Sequence, residues 1–114
     1  MSYIVTPFEV SSKGLRSPVK VHFVHLYSAI ATRHSDSIDV VFLVDGQKAT
    51  VAISCATLAE LREGEGKGLT DQQLADVAAL HLRRTLEQGY EATEAELFLG
   101  GAPFRALAHE LGYL

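Results

Sequence analysis

The clearest pattern in the chain is IDVVFLV-DG-QKATVAIS, where Asp45-Gly46 separates two runs rich in strand-forming residues. Asp-Gly suits a two-residue type I′ turn, whose two central positions both take positive φ. Such a turn sets the register of a hairpin 38–44/47–53: Val44 faces Gln47, Phe42 faces Ala49, Val40 faces Val51 and Ile38 faces Ile53, so one side is almost wholly apolar. The other side pairs Asp39 with Ala52, Val41 with Thr50 and Leu43 with Lys48. Val41 and Leu43 are large aliphatics on a surface that would be polar if it met only water. A second layer is therefore expected over them, supplied by the C-terminal helix or by a second copy of the chain.

Helical spacing follows the hairpin. Thr57 precedes Glu60 by three positions, a capping-box spacing that predicts a short helix stopped by the glycines of GEGKG, residues 64 to 68. A stronger start lies at Thr70, three before Gln73. Leu74, Val77, Ala78 and Leu82 then form one apolar stripe of a main helix over about 71–88, with Gly89 placed to end it. Near the C-terminus, Pro103 suits a first turn, and Phe104, Leu107, Ala108 and Leu111 recur at helical spacing before Gly112, predicting a helix over about 103–111. YIVTPFEV reads as a strand in which Pro7 favours an edge or a bulge. TEAELFL, residues 93 to 99, fits a strand or a helical turn equally well. The expected architecture is an α+β fold: an antiparallel β-meander of three or four strands, the main helix packed on one face, and the C-terminal helix docked on it or on a partner.

Residues 19 to 32 contain VHFVHL, which sets His22 and His25 three apart in an apolar run. Pro18 can open a helix with Phe23, Leu26, Tyr27 and Ile30 on one stripe, but strand formers crowd the first half of the segment, and a long strand is preferred. The choice decides the chemistry. On a helix the two imidazoles are neighbours and can begin a zinc or nickel site, whereas in a regular strand an odd separation sends them to opposite faces. Further ligands would have to come from His34, Asp36, Asp39, Cys55, His81 or His109, none of which stands at ligand spacing. No metal and no other cofactor is expected.

Composition narrows the function classes. A chain of 114 residues fits one domain, and 47% apolar with 21% charged residues is ordinary for a globular protein. Ten Lys and Arg are scattered among fourteen Asp and Glu for a net charge of −4, which disfavours nucleic acid. The single cysteine, Cys55, excludes an intramolecular disulfide, so the cytoplasm is the expected compartment. MSYIVTPFEV lacks the basic region, apolar stretch and cleavage site of a secretory signal, and no apolar run is long enough to span a membrane.

Motifs that carry chemistry are thin. Cys55 stands between a strand and a helix, where a thiol can be activated with His81 as base, but a buried unreactive cysteine is the commoner outcome. GEGKG lacks the spacing of a phosphate-binding loop and follows a helix instead of a strand. RALAHELGYL, residues 105 to 114, resembles the first helix of helix-turn-helix domains, yet no recognition helix follows it. Glu87, Glu91, Glu94 and Glu96 fit a solvated surface better than a pair of catalytic carboxylates. No catalytic residue is expected.

The order VVFLVDGQKATVAISCATLAEL, a helix ending near EQGY, and then AELFL resembles a group of short bacterial proteins of unknown function, which also place a strand pair before an "IS" motif and a helix. The resemblance spans about residues 38 to 99. It implies a bacterial origin and carries no activity or site residue with it. The leading expectation is a non-enzymatic protein-interaction or assembly module, a homodimer using Val41 and Leu43. The alternative is a small-ligand-binding protein or simple enzyme with a pocket between sheet and helix lined by His25, Tyr27 and His81.

Overall fold

The computed structural model describes residues 5–11, 18–27, 37–66, 68–88 and 96–114. They form strands β1 (Phe8–Val10), β2 (Val19–Tyr27), β3 (Ser37–Val44) and β4 (Gln47–Ser54), helices α1 (Cys55–Glu65) and α2 (Asp71–Glu87), strand β5 (Glu96–Leu99) and helix α3 (Gly101–Glu110). The strands make one sheet in the order β1-β2-β3-β4-β5, antiparallel except for the parallel pair β4–β5. The fold is thus α+β, with a four-stranded meander as expected. A fifth strand, reached through α1 and α2, joins it by a parallel crossover.

The hairpin adopts the expected register at every pair from Ile38–Ile53 to Val44–Gln47. Asp45 and Gly46 have φ of 49° and 83°, the positive values that the turn demands. Asp45 also anchors β2: its N–H donates to the Lys20 carbonyl at 2.8 Å, and its Oδ1 accepts from the Lys20 N–H at 2.8 Å. The turn residue thereby fixes where the neighbouring strand begins. β1 lies at the sheet edge directly after Pro7, where a residue without an N–H leaves no ladder bond unmade.

One face of the sheet carries the core. Val10, Val21, Leu26, Val40, Phe42, Val44, Ala49, Val51 and Ile53 pack against Leu61 of α1, the stripe Leu74, Val77, Ala78, Leu82 and Leu86 of α2, and Phe104 and Ala108 of α3. α2 starts as its sequence dictates, with Thr70 Oγ1 accepting from the Gln73 N–H and Gln73 Oε1 accepting from the Thr70 N–H. α3 packs on α2 and adds the ion pair Arg84–Glu110, while Arg105 pairs with Glu65 of α1. All three helices therefore contribute to the inner face. The C-terminal helix does not supply the second layer that was one expectation for Val41 and Leu43.

α1 begins earlier than the Thr57–Glu60 spacing suggested. Ser54 is the N-cap, its hydroxyl accepting from the Thr57 N–H at 3.3 Å, and Gly66 ends the helix in the left-handed region at φ 66°. Thr57 is buried in the first turn, and its Oγ1 accepts from the Gly101 N–H at 2.8 Å. A residue read as a cap of its own helix instead joins the start of α1 to the start of α3.

Candidate functional site

β2 resolves the question raised by VHFVHL. It is a strand over Val19–Tyr27, while residues 28–32 lie outside the described residues. Its register against β3 runs Val21–Val44, His22–Leu43 and Phe23–Phe42, then His25–Val41, Leu26–Val40 and Tyr27–Asp39. Val24 has no partner of its own. It is the extra residue of a β-bulge, where two residues of one strand stand against one of the other. Before the bulge the odd positions face the core, and after it the even position Leu26 does.

The bulge overturns the parity argument. A regular strand would separate His22 and His25, but one inserted residue returns them to the same face. Lys20, His22, Val24, His25 and Tyr27 are all exposed and form a continuous outer strip along β2. His25 and Tyr27 meet edge to face, with ring centroids 4.7 Å apart. The apolar side chains Val21, Phe23 and Leu26 remain directed at the other layer.

The rest of the outer face follows from the ladder. Next to His22 stand Leu43 and then Lys48; next to His25 stand Val41 and Thr50; next to Tyr27 come Asp39, Ala52 and Phe98. Val24, Tyr27, Leu43 and Phe98 are four of the five exposed large apolar side chains among the described residues, and Phe98 is 66% exposed. Val41 and Ala52 are buried yet belong to no part of the inner cluster. The face thus has an apolar centre, Lys20 and Lys48 toward the hairpin turn, Glu9 beside Lys20 on the edge strand, and Asp39 at the far end, where Ser37 donates to its carboxylate at 2.9 Å. Neither Lys48 nor Asp39 takes part in an ion pair among the described residues.

The expected His25–Tyr27–His81 pocket does not assemble. His25 and Tyr27 share the outer face, while His81 lies midway along α2, on the opposite side of the sheet. Partial burial pushes the His81 imidazole below its ordinary pKa, because desolvation penalises the cation. Cys55 opens α1 and is half-buried. His109 is exposed in the last turn of α3, and His34 and Asp36 lie outside the described residues. No group of three or more His, Cys, Asp or Glu side chains within one copy is arranged to hold a metal among the described residues.

Two shallow concavities border the sheet. A groove of about 370 Å³ runs between the lead into β1, α2 and the C-terminal tail, with Phe8, Leu80, Arg83 and Tyr113 on its walls. There the Arg83 guanidinium sits 5.1 Å above the Phe8 ring, and the Tyr113 hydroxyl donates to Asp76 Oδ2 at 2.6 Å. That bond to the carboxylate holds the phenol above its ordinary pKa. A smaller hollow of about 270 Å³ lies at the sheet edge beside Phe8, Glu9, Lys20 and His22. Neither contains a nucleophile with an adjacent base.

Sequence reasoning found Val41 and Leu43 but missed Val24, His22 and Phe98 as members of the same surface. For β2 the signal is a slip in alternation: apolar residues hold odd positions through Phe23 and the even position at Leu26. For Phe98 the assignment depends on parallel pairing with Ala52, a contact 46 positions back in the chain that no local pattern records. No family model, curated protein or solved structure matches the chain. No helix among the described residues is long and apolar enough to cross a membrane.

Proposed function

We propose that this chain is a non-enzymatic assembly module whose outer sheet face is covered by a second copy of itself. The observation that carries the reading is the concentration of Val24, Tyr27, Leu43 and Phe98 on one sheet face while all three helices pack on the other. Exposed large apolar side chains gathered on one face mark an interaction site more often than a solvated face does. Strands about 4.8 Å apart and rungs about 6.7 Å apart give a face on the order of 500 Å² in projection, comparable to the roughly 800 Å² of accessible surface each partner contributes to a standard interface.

A second copy of the chain offers a matching apolar face as the occupant. Consider a two-fold axis lying in the face, perpendicular to the strands, between the rungs of Leu43 and Val41. Each strand then stacks on its own counterpart in reverse direction, and Leu43 of one copy falls on Val41 of the other. The same operation lays Lys20 over Tyr27 and Asp39 over the rung of Asp45, so the apolar side chains, not the charges, carry the pairing. Nucleic acid fits less well, because Glu9 and Asp39 share the face with Lys20 and Lys48, leaving no basic stripe.

The test is light scattering on untagged protein in EDTA, with Leu43→Glu and Phe98→Glu as probes. Both side chains are exposed, Leu43 on the central strand β3 and Phe98 on the edge strand β5, so neither substitution buries a charge in the core, and a charge on the face should weaken association at least about tenfold. A wild-type chain that runs as a monomer at every concentration overturns the reading.

A further inference from the structure

The groove between the lead into β1, α2 and the C-terminal tail has walls that the rest of the fold holds in place. α3 ends with Leu111 as its C-cap and Gly112 in the left-handed region at φ 80°. The tail then turns back through two bonds, from the Gly112 N–H to the His109 carbonyl at 3.0 Å and from the Tyr113 N–H to the Ala108 carbonyl at 2.8 Å. This glycine ending satisfies the last carbonyls of the helix and fixes the direction of the chain beyond it. It brings Tyr113 onto α2, where the hydroxyl donates to Asp76 Oδ2. Val5, Phe8, Ala79 and Tyr113 pack against the inner cluster, so this hollow of about 370 Å³ belongs to the helix side of the sheet and not to its outer face.

The charges in the groove are unequally engaged. Asp76 has both carboxylate oxygens occupied, Oδ1 by Gln72 Nε2 at 3.0 Å and Oδ2 by the Tyr113 hydroxyl at 2.6 Å. Arg83 makes no hydrogen bond or ion pair among the described residues, although Arg84 beside it pairs with Glu110 and Arg105 pairs with Glu65. Its guanidinium instead rests 5.1 Å over the Phe8 ring. Contact with a ring restrains the long side chain and leaves the in-plane N–H donors for a planar anion, which a carboxylate matches with two parallel bonds.

We infer that this groove binds a small monocarboxylate with an aryl or short aliphatic body, the carboxylate on Arg83 and the body against Phe8, Leu80 and Leu111. A single negative charge suits the site better than a dianion such as phosphate, because Asp76 places a carboxylate of its own in the same hollow and repels added charge. The volume lies at the lower end of the range for small-molecule sites, about 300–1,000 Å³, which favours a compact ligand. Apolar contact contributes affinity in proportion to the area removed from water, and the guanidinium selects the head group.

The experiment titrates the isotope-labelled full chain with phenylacetate, followed residue by residue by NMR, beside the neutral isostere phenylacetamide and inorganic phosphate. Phenylacetate should saturate with a Kd below about 10 mM, and its shifts should centre on Ala79, Leu80, Arg83 and Tyr113. Phenylacetamide and phosphate should each bind at least about fivefold more weakly, since one lacks the charge and the other the body. Arg83→Gln keeps the side-chain stem at an exposed position and should lower phenylacetate affinity at least about fivefold at an unchanged melting temperature, with Arg83→Lys recovering part of the loss. Failure to saturate by about 10 mM, equal binding of the amide or of phosphate, or affinity indifferent to Arg83→Gln would each overturn the site. Shifts gathered on Tyr27, Leu43 and Phe98 would do the same, by placing the ligand on the outer sheet face.

Discussion

At Gly100 the backbone is extended, with φ −164°, so the residue is required by space and not by conformation. A Cβ there would lie 2.8 Å from Ser54 Cβ and 3.0 Å from Thr57 Oγ1, at the point where β5 passes the start of α1. Gly100→Ala should cost about 1–3 kcal/mol by forcing that junction apart, read as a lower urea midpoint at unchanged slope; an unchanged midpoint would contradict the packing described. His81 offers a test in pH. Its folded-state pKa lies below the unfolded value, so as the pH falls through about 6.5 the unfolded chain takes up a proton that the folded chain resists. Stability is complete above that range and declines below it, until the lowered folded pKa is passed. His81→Gln should flatten this decline in melting temperature between pH 7 and 5, and an identical pH profile in the variant would show that another group carries it.

Among the elements, β2 separates what was legible from what was not. The hairpin could be read pair by pair because Asp45-Gly46 fixes a local register, and α2 because Thr70 and Gln73 form a capping box ahead of an apolar stripe. Both signals lie within a few residues of what they determine. The bulge and β5 are different: the face given to His25 depends on how Val41 pairs across the sheet, and that of Phe98 on a parallel neighbour reached through two helices. Parity counted along one strand cannot register a slip decided by another strand. A deletion tests the assignment directly. Removing Val24 closes the bulge without changing any other β2 pairing, so the variant should fold within about 2 kcal/mol of wild type. Removing Val41 displaces the register with both β2 and β4 and should abolish cooperative unfolding followed by circular dichroism. Equal damage from the two deletions would contradict the observed pairing.

For the whole molecule, the helices and the outer face divide the work. α1, α2 and α3 bury the apolar side of the hairpin and leave the other side with exposed apolar side chains, two imidazoles and charges of mixed sign. Removing surface of this kind from water stabilises association in proportion to its area. A module that acts through such a face should show self-association that depends on side chains distant from α2 and the C-terminal groove. The most direct measurement is sedimentation equilibrium of the untagged chain at neutral pH in EDTA, over a concentration series, beside Leu43→Glu. The account predicts a particle of twice 12.4 kDa for wild type and a shift toward 12.4 kDa in the variant. A wild-type chain that stays at 12.4 kDa throughout, or a dimer indifferent to Leu43→Glu, would contradict it.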